Sequence, residues 1–193
     1  MTTAAAQNPD LGFVPGDHVC AFYSSSRNLL DDIVVDYITK GLQAGNKVFC
    51  MVDQPDSVHA RVPAQLIARD GMLRVLTEDE AYMPDGHFSK DAFVHGMKAK
   101  VTEALADGYE SFRAVGDESF IVRNAVDINE WFAAEAELNE IVPDYPHFFF
   151  CLYDLEMFDG DAVMYVLRTH PRIYVNGMVI TNPHYTPADQ LPG

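Results

Sequence analysis

Hydrophobic and polar residues alternate along the chain in blocks that predict strands and helices in turn. The segment HVCAFY is a run of strand length, and KVFCMVD, SFRAVGD and HFFFCLYD are further apolar runs of the same kind. Between them lie amphipathic stretches with helical spacing, the first of which begins at Ser26 as N-cap and ends at Gly45. Continuous apolar strands separated by helices indicate a mostly parallel sheet with helices on both faces. The sequence therefore predicts a three-layer α/β fold.

The remaining pattern completes one domain with an antiparallel edge. We expect further helices near 56–69, 90–107, 127–141 and 161–169, and a strand at LRVLTE. The last two strands, RIYV and MVIT, flank Asn176-Gly177, a dipeptide typical of tight hairpins. Residues 1–14 and 182–193 are predicted to be flexible tails around a single domain at 15–181.

Composition and charge narrow the classes of partner. A hydrophobic fraction of 48% and a charged fraction of 22% are those of an ordinary globular domain. The net charge of −16 makes the surface strongly acidic. Such a surface repels phosphate backbones and anionic lipid headgroups. We therefore expect no direct binding to nucleic acid or to membranes.

The cysteines favour a reducing compartment. Cys20, Cys50 and Cys151 are odd in number, far apart, and each lies inside an apolar run. That pattern is typical of reduced, buried thiols rather than disulfides. The first residues lack the basic and apolar regions of a signal peptide, and no apolar run is long enough to span a bilayer. We expect a cytoplasmic protein.

Polar residues follow several predicted strands at the point where each strand ends. In open parallel sheets, ligands bind outside the carboxyl ends of the strands, so these residues are the first candidates for a binding site. The surrounding core is rich in aromatic residues, so a pocket here would be largely apolar. The alternative is that acids such as Asp53 and Asp154 only cap the segments that follow. The candidates are Tyr23, Ser24, Asp53, Asp117, Glu118, Tyr153 and Asp154, with Cys20 and Cys151 just before two of the strand ends.

A charged residue inside a predicted strand adds two more candidates. Arg113 lies within SFRAVGD, and a buried guanidinium needs a partner. Glu135, on the amphipathic helix INEWFAAEAELNEIV, is the acid that we pair with it. Either side chain could equally face solvent. Both join the candidate ligand-binding set.

Catalytic and metal motifs are largely missing. The sequence has no G-x-S-x-G, H-E-x-x-H or C-x-x-C. His18 and Cys20 would share one face of a strand, and His170 is a conceivable base for a thiol, but nothing local supports either role. We therefore expect neither a catalytic centre nor a metal. His18, Cys20 and His170 are the residues on which a metal site would rest.

The turn after the first strand bears on nucleotide binding. A P-loop protein has there a glycine-rich loop that ends in Lys-Ser or Lys-Thr and holds phosphates. Here the turn reads Tyr23-Ser24-Ser25-Ser26-Arg27, without glycine or lysine. We expect no nucleotide cofactor and no ATP hydrolysis.

Five segments, in this order, resemble the MEDS domain, a methanogen and methylotroph sensory domain found in dichloromethane-response regulators. They are HVCAFYSSSRNLLDDIVVDYITKGLQAGNKVFCMVD, GYESFRAVGDESF, EAELN, CLYDLEMF and LRTHP, and they cover about residues 17–174. The resemblance implies a degenerate RecA-type ATPase fold without the phosphate loop. It places Asp117 where the acid of a Walker B strand would stand.

The resemblance also implies a function. Family members are proposed to sense small organic compounds, and many are fused to an output domain for which this chain has no room. We therefore expect a stand-alone sensor of a small, C1-type or hydrocarbon-type molecule that signals through a protein partner. One alternative is a ligand-free interaction module or homo-oligomer subunit whose edge hairpin extends a neighbouring sheet. Another is a thiol- or metal-dependent redox protein, which needs His18 or His170 beside a cysteine. The cofactor, if any, stays unknown.

Overall fold

The computed structural model describes residues 12–24, 27–67, 71–141 and 146–190. Ser26, the predicted N-cap of the first helix, lies outside these residues, as do 1–11 and 191–193 of the predicted tails. The strands are β1 (Asp17–Tyr23), β2 (Lys47–Met51), β3 (Leu73–Leu76), β4 (Phe112–Asp117), β5 (His147–Asp154), β6 (Arg172–Val175) and β7 (Met178–Thr181). The helices are α1 (Arg27–Gln43), α2 (Pro55–Arg61), α3 (Ala64–Ile67), α4 (Glu78–Tyr82), α5 (Lys90–Ala106), α6 (Phe120–Arg123), α7 (Ile128–Leu138) and α8 (Gly160–Thr169).

The seven strands form one sheet in the order β3-β2-β4-β5-β1-β6-β7. Every neighbouring pair is parallel except β6 and β7. In the turn between those two strands, Asn176 has φ +49° and Gly177 has φ +82°. Positive φ at both central residues is the geometry that an Asn-Gly hairpin turn requires. The predicted three-layer fold with a C-terminal edge hairpin is confirmed.

Alternation along the strands divides the core into two layers. On one side of the sheet, which we call the α1 face, residues such as Val19 and Phe150 pack against Tyr37 of α1. On the other side, the α7 face, residues such as Phe149 pack against side chains of α5, α7 and α8, among them Trp131. Because side chains point alternately to opposite faces, neighbours in one strand belong to different layers. This division decides which candidate residues can meet.

Polar caps fix the starts of the long helices. Ser89, Asp127 and Asp159 precede α5, α7 and α8, and each accepts a hydrogen bond from a backbone N–H of the first turn. These three helices agree with the predicted segments to within a few residues. The helix expected at 56–69 is instead divided into α2 and α3. Pro63 lies at the break and forces Val62 into an extended conformation, with ψ 132°.

Two residues assigned to the predicted tails are part of the packed structure. Phe13 is buried, and its ring lies 5.1 Å from that of Tyr37 and 5.3 Å from that of Phe150. Asn182 is also buried, and its amide donates to the backbone carbonyls of Leu167 and His170. Aromatic burial and a buried amide thus hold these two residues against the domain, while the division into tails and one domain at 15–181 stays a prediction.

Candidate functional site

At the carboxyl end of β4, hydrogen bonds on the α1 face join Asp117 to two neighbouring residues. The Tyr23 hydroxyl donates to Asp117 Oδ1 over 2.9 Å, and the Ser119 backbone N–H and hydroxyl donate to the same oxygen at 3.1 and 2.7 Å. Burial raises the pKa of Asp117, while these three donors act against that rise. Tyr23 and Asp117, which the sequence placed at one edge of the sheet, are in direct contact.

An ion pair between the buried Glu78 and the partly exposed Arg123 lies beside this network. Arg123 Nη2 contacts both carboxylate oxygens of Glu78 at 2.5 Å and lies 4.0 Å from Asp117 Oδ2. Burial raises the pKa of Glu78 to about 7 despite the opposing effect of Arg123. The negative charges of Asp117 and Asp53 act in the same direction as burial. Neither Glu78 nor Arg123 was a sequence candidate, because both lie on short helices that the pattern did not predict.

Three other rim candidates have more local surroundings. Asp154 is half-buried and accepts a hydrogen bond from the Glu156 backbone N–H at 2.9 Å, which is the capping role held as the alternative. Asp53 is half-buried and lies near enough to Glu78 to affect its pKa. Ser24 is exposed. The candidates thus do not converge on one open pocket at the rim.

The pairing of Arg113 with Glu135 was wrong. Arg113 Nε donates to Asn46 Oδ1, and the guanidinium lies 4.3 Å from the centre of the Phe148 ring on the α1 face. Glu135 belongs to α7 and lies on the opposite side of the sheet. The sheet itself separates the two side chains.

Four buried side chains from four elements meet on the α7 face. Glu135 Oε2 lies 2.9 Å from His18 Nε2 and 3.2 Å from His170 Nε2. Cys151 Sγ lies 3.4 Å from His18 Nε2 and 3.8 Å from Glu135 Oε2. One potential ligand atom from each of the four residues lies within 4.8 Å of those of the other three. We call these four residues the HECH cluster.

Hydrogen bonds on the far side of each imidazole orient the rings of the cluster. Asn139 Nδ2 donates to the Thr169 carbonyl at 2.7 Å, which leaves Asn139 Oδ1 as an acceptor for His18 Nδ1–H at 3.0 Å. His170 Nδ1–H donates to the Val166 carbonyl at 2.8 Å. With hydrogen on Nδ1, each imidazole directs its Nε2 atom toward Glu135.

The electrostatics of the cluster follow from burial and from mutual contacts. Burial alone would raise the pKa of Glu135, but hydrogen bonds and positive charge from the two histidines hold it below its usual range. Burial lowers the pKa of His170, and the charge of His18 lowers it further. Burial and the charge of Glu135 raise the pKa of the Cys151 thiol. Glu135 is therefore ionised, and its negative charge is balanced by positive charge shared by the two imidazole rings.

Sequence reasoning identified the members of the cluster but not their association. Glu135 and Cys151 were candidates for ligand binding, and His18 and His170 were weighed for metal or thiol chemistry. The structure does not bring Cys20, the third metal candidate, into the cluster, since its thiol donates to the Arg172 carbonyl at 3.8 Å. The sequence feature that could have indicated the cluster was the occurrence of polar residues inside apolar segments.

A small cavity lies next to the cluster, between the sheet and helices α5 and α7. Its volume is about 10 Å³, the space that one water molecule needs. Glu118 Oε1 accepts a hydrogen bond from the Tyr82 hydroxyl at 3.3 Å beside it. Burial raises the pKa of Glu118 well above its usual range, and the charges of Glu135 and Asp117 add to that rise. The lining residues are Met51, Tyr82, Phe93, Met97, Ala114, Gly116, Glu118, Glu135, Leu138, Phe149, Phe150 and Cys151.

Gly116 makes this close arrangement possible. A Cβ atom at Gly116 would lie 2.1 Å from the Tyr82 hydroxyl oxygen and 2.7 Å from Glu118 Oε1. Neither distance is sterically allowed, so any other residue would displace the two polar groups. Tyr153, another candidate, is buried on the same face, where its ring lies 5.8 Å from that of His170.

The parallel sheet with helices on both faces defines the chain as a RecA-like α/β domain, and comparison with solved structures agrees. The flagellar accessory protein FlaH from Methanocaldococcus jannaschii superimposes with a TM-score of 0.59 at 9% identity, over 93% of this chain and 82% of that one. The chain belongs to the MEDS family (MEthanogen/methylotroph, DcmR Sensory domain), because the sequence model of that family matches residues 17–171. The predicted family is confirmed.

A curated relative has the name DcmR, which also occurs in the family description. The transcriptional repressor DcmR of Methylorubrum extorquens (strain DSM 6343 / CIP 106787 / DM4) is 24% identical over 161 residues. The match covers 82% of this chain and 59% of the repressor, so the chain spans less than two thirds of that relative's length. Family and relative together indicate a sensory or regulatory role. Among the helices that the structure describes, none has both the length and the apolar content to cross a membrane.

Proposed function

We propose that the chain is a sensory domain that binds a small organic molecule in the cavity between the sheet and helices α5 and α7. One observation carries the proposal: a small, mostly apolar space that is also lined by the polar groups of Glu118, Glu135 and Cys151. Small-molecule sites in proteins have this composition, with mostly apolar walls and a few polar groups that orient the ligand. The family's sensory description supports the same role.

The size of the cavity restricts the ligand and supplies a mechanism. A space of about 10 Å³ takes one water molecule and no more. A molecule with one carbon atom therefore has to displace the flexible side chains of Met51 and Met97. Because Met97 belongs to α5, binding shifts the packing of that helix against the sheet.

Such a shift is the signal in this proposal. A ligand biases a conformational equilibrium only by binding one state more tightly than the other. The state with α5 displaced holds the ligand, and it presents an altered helical surface to a protein partner. The three buried free thiols support a cytoplasmic location for the protein in this proposal.

The test is to fill the cavity without touching its polar groups. Ala114→Val adds two methyl groups on the cavity side of β4, and Ala21→Val adds the same bulk to β1 on the α1 face. Each variant and the unsubstituted protein are mixed with methanol, methylamine or dichloromethane. Thermal unfolding and calorimetric titration then measure binding.

We expect at least one compound to stabilise the unsubstituted protein and Ala21→Val, with the effect lost in Ala114→Val. If no compound stabilises the unsubstituted protein, the proposal of a C1-type ligand is wrong. An equal effect in all three proteins would place the ligand outside this cavity.

The second candidate function is an interaction module that pairs with a second copy of the chain. Its support is the outer edge of β7, where the exposed side chains of Met178 and Ile180 flank backbone groups that face no further strand among the residues that the structure describes. Two such edges can pair about a two-fold axis and continue the sheet. Sedimentation analysis should then give a dimer that Met178→Asp dissociates and Met164→Asp, on α8, does not. A monomer at all concentrations would exclude this function.

A further inference from the structure

We propose that the HECH cluster, His18, Glu135, Cys151 and His170, is a binding site for one divalent transition-metal ion of the Zn²⁺ type. The four side chains come from β1, α7, β5 and the end of α8, and their potential ligand atoms converge within 4.8 Å of one another. The inference does not depend on the sensing proposal, although two of the four residues, Glu135 and Cys151, also line the cavity of that proposal.

Four of the six distances between the ligand atoms are close to the edges of a zinc tetrahedron. Ligand atoms placed 2.0–2.3 Å from a tetrahedral zinc ion lie roughly 3.3–3.8 Å from one another. The His170–Glu135, His18–Cys151 and Cys151–Glu135 separations are 3.2, 3.4 and 3.8 Å, and that from His18 Nε2 to Glu135 Oε2 is 2.9 Å. The remaining two, from His170 to His18 and to Cys151, are within 4.8 Å. Small shifts of the Glu135 and His170 side chains would complete the tetrahedron around an ion.

The outer hydrogen bonds are those of metal-bound histidines. A metal-ligating imidazole usually donates its other N–H to a carbonyl or carboxylate oxygen, which fixes the tautomer. His18 donates to the Asn139 side-chain oxygen and His170 to the Val166 carbonyl. Both rings therefore present Nε2 to the centre of the cluster.

One inner oxygen lacks a donor of its own. Glu135 Oε1 receives no hydrogen bond from any residue that the structure describes, while His18 Nε2, His170 Nε2 and Cys151 Sγ all approach the other oxygen, Oε2. A buried acceptor without a donor is costly, and the atoms crowded around Oε2 need either protons or a cation between them. A cation bound by all four side chains satisfies them together.

The donor set selects the kind of cation. Two imidazoles and a thiolate suit Zn²⁺ or Co²⁺ and disfavour Mg²⁺ and Ca²⁺, which prefer oxygen ligands. A divalent ion with the carboxylate of Glu135 and the thiolate of Cys151 forms a neutral group in an apolar layer. Binding would release the thiol proton to solvent. With four protein ligands, all buried, the ion would have a structural role and join β1, β5, α7 and α8.

A single proton shared between Glu135 and the imidazoles is the competing occupant. It also balances the carboxylate charge and leaves the Cys151 thiol as a donor to Glu135 Oε2, but Glu135 Oε1 stays without a donor among the described residues. The two occupants are distinguished by whether the thiol sulfur binds a metal.

The test uses the full chain after treatment with a chelator, titrated with Co²⁺. We expect one Co²⁺ per chain, the visible bands of tetrahedral cobalt, and a near-ultraviolet band from thiolate-to-cobalt charge transfer. Cys151→Ser should lose the charge-transfer band. Cys20→Ser is the matched control, because Cys20 is the Cα partner of Cys151 on the neighbouring strand and faces the same layer. It should keep the band.

Two further measurements do not depend on the folding of Cys151→Ser. X-ray absorption of the unsubstituted protein with Zn²⁺ should give one sulfur and three nitrogen or oxygen ligands. Asn139→Ala, which removes the acceptor for His18, should lower Co²⁺ affinity roughly 10–100-fold. Absence of cobalt bands in the folded protein, retention of the charge-transfer band in Cys151→Ser, or a shell without sulfur would each overturn the proposal.

Discussion

Tyr23 and Asp117 are joined by a 2.9 Å hydrogen bond that crosses over β5 and connects the ends of β1 and β4. Both residues are buried. The contact therefore fills the edge of the sheet where a parallel α/β protein commonly binds its ligand. The small cavity lined by Glu118, Glu135 and Cys151 lies on the other side of the sheet, beside Gly116.

Tyr23→Phe removes this contact while keeping the ring. Asp117 then loses one of its three donors at a buried position, so we expect a loss of about 1–3 kcal/mol in the free energy of unfolding. Tyr37→Phe is the control, since the Tyr37 hydroxyl donates to a neutral acceptor, the Phe148 carbonyl, at 3.2 Å. Urea unfolding should give a smaller loss there. Equal stability of Tyr23→Phe and the unsubstituted protein would contradict this reasoning.

Glu118 should make the stability of the protein depend on pH. Its pKa is raised from 4.5 by burial, so the folded state holds a proton that the unfolded state releases as pH rises above 4.5. Stability therefore falls with increasing pH across this window. The glutamine of Glu118→Gln does not titrate. The free energy of unfolding of this variant, relative to that of the unsubstituted protein, should therefore increase from about pH 5 to about pH 8.

The measurement is urea unfolding of both proteins at several pH values. Glu110→Gln, at an exposed position, controls for the change in net charge. Parallel stability curves for Glu118→Gln and the unsubstituted protein would show that Glu118 does not hold a proton in the folded state.

Phe13 should contribute to the core although it precedes the first strand. Phe13→Ala removes the ring that packs between Tyr37 and Phe150, and we expect a loss of about 3–5 kcal/mol. Val14 is 48% exposed, so Val14→Ala should change stability by less than about 0.5 kcal/mol. Thermal unfolding compares the two. If both substitutions are neutral, the segment before β1 is not bound to the domain.

Alanine substitutions at two glycines should change the free energy of unfolding in opposite directions. Gly177 has φ +82° in the hairpin turn, where alanine costs about 1–2 kcal/mol. Gly160 begins α8 with open space around its Cα, and alanine there should stabilise by about 0.5 kcal/mol through a less flexible unfolded chain. Chemical denaturation of Gly177→Ala and Gly160→Ala measures both. A loss of stability in Gly160→Ala would show a steric limit at the start of α8.

The sequence alone determined the class of fold, the hairpin and the family. These depend on local signals: the period of apolar residues separates strands from helices, and Asn176-Gly177 specifies its own turn. The division between α2 and α3 could also have been predicted, because a proline such as Pro63 restricts the backbone of the residue before it in any context. Phe13 was not, since a single aromatic residue outside a periodic segment carries no signal of its partners.

Only the tertiary structure decided which polar residues meet. Alternation assigns His18 and Cys151 to a face of their strands, but the face that α7 covers depends on how the chain crosses the sheet. Arg113 and Glu135 were therefore paired across a sheet that separates them, while His18 and His170, 152 positions apart in the printed numbering, lie against the same carboxylate of Glu135. Contacts between distant segments are set by the packing of whole layers, and no spacing along the chain records them.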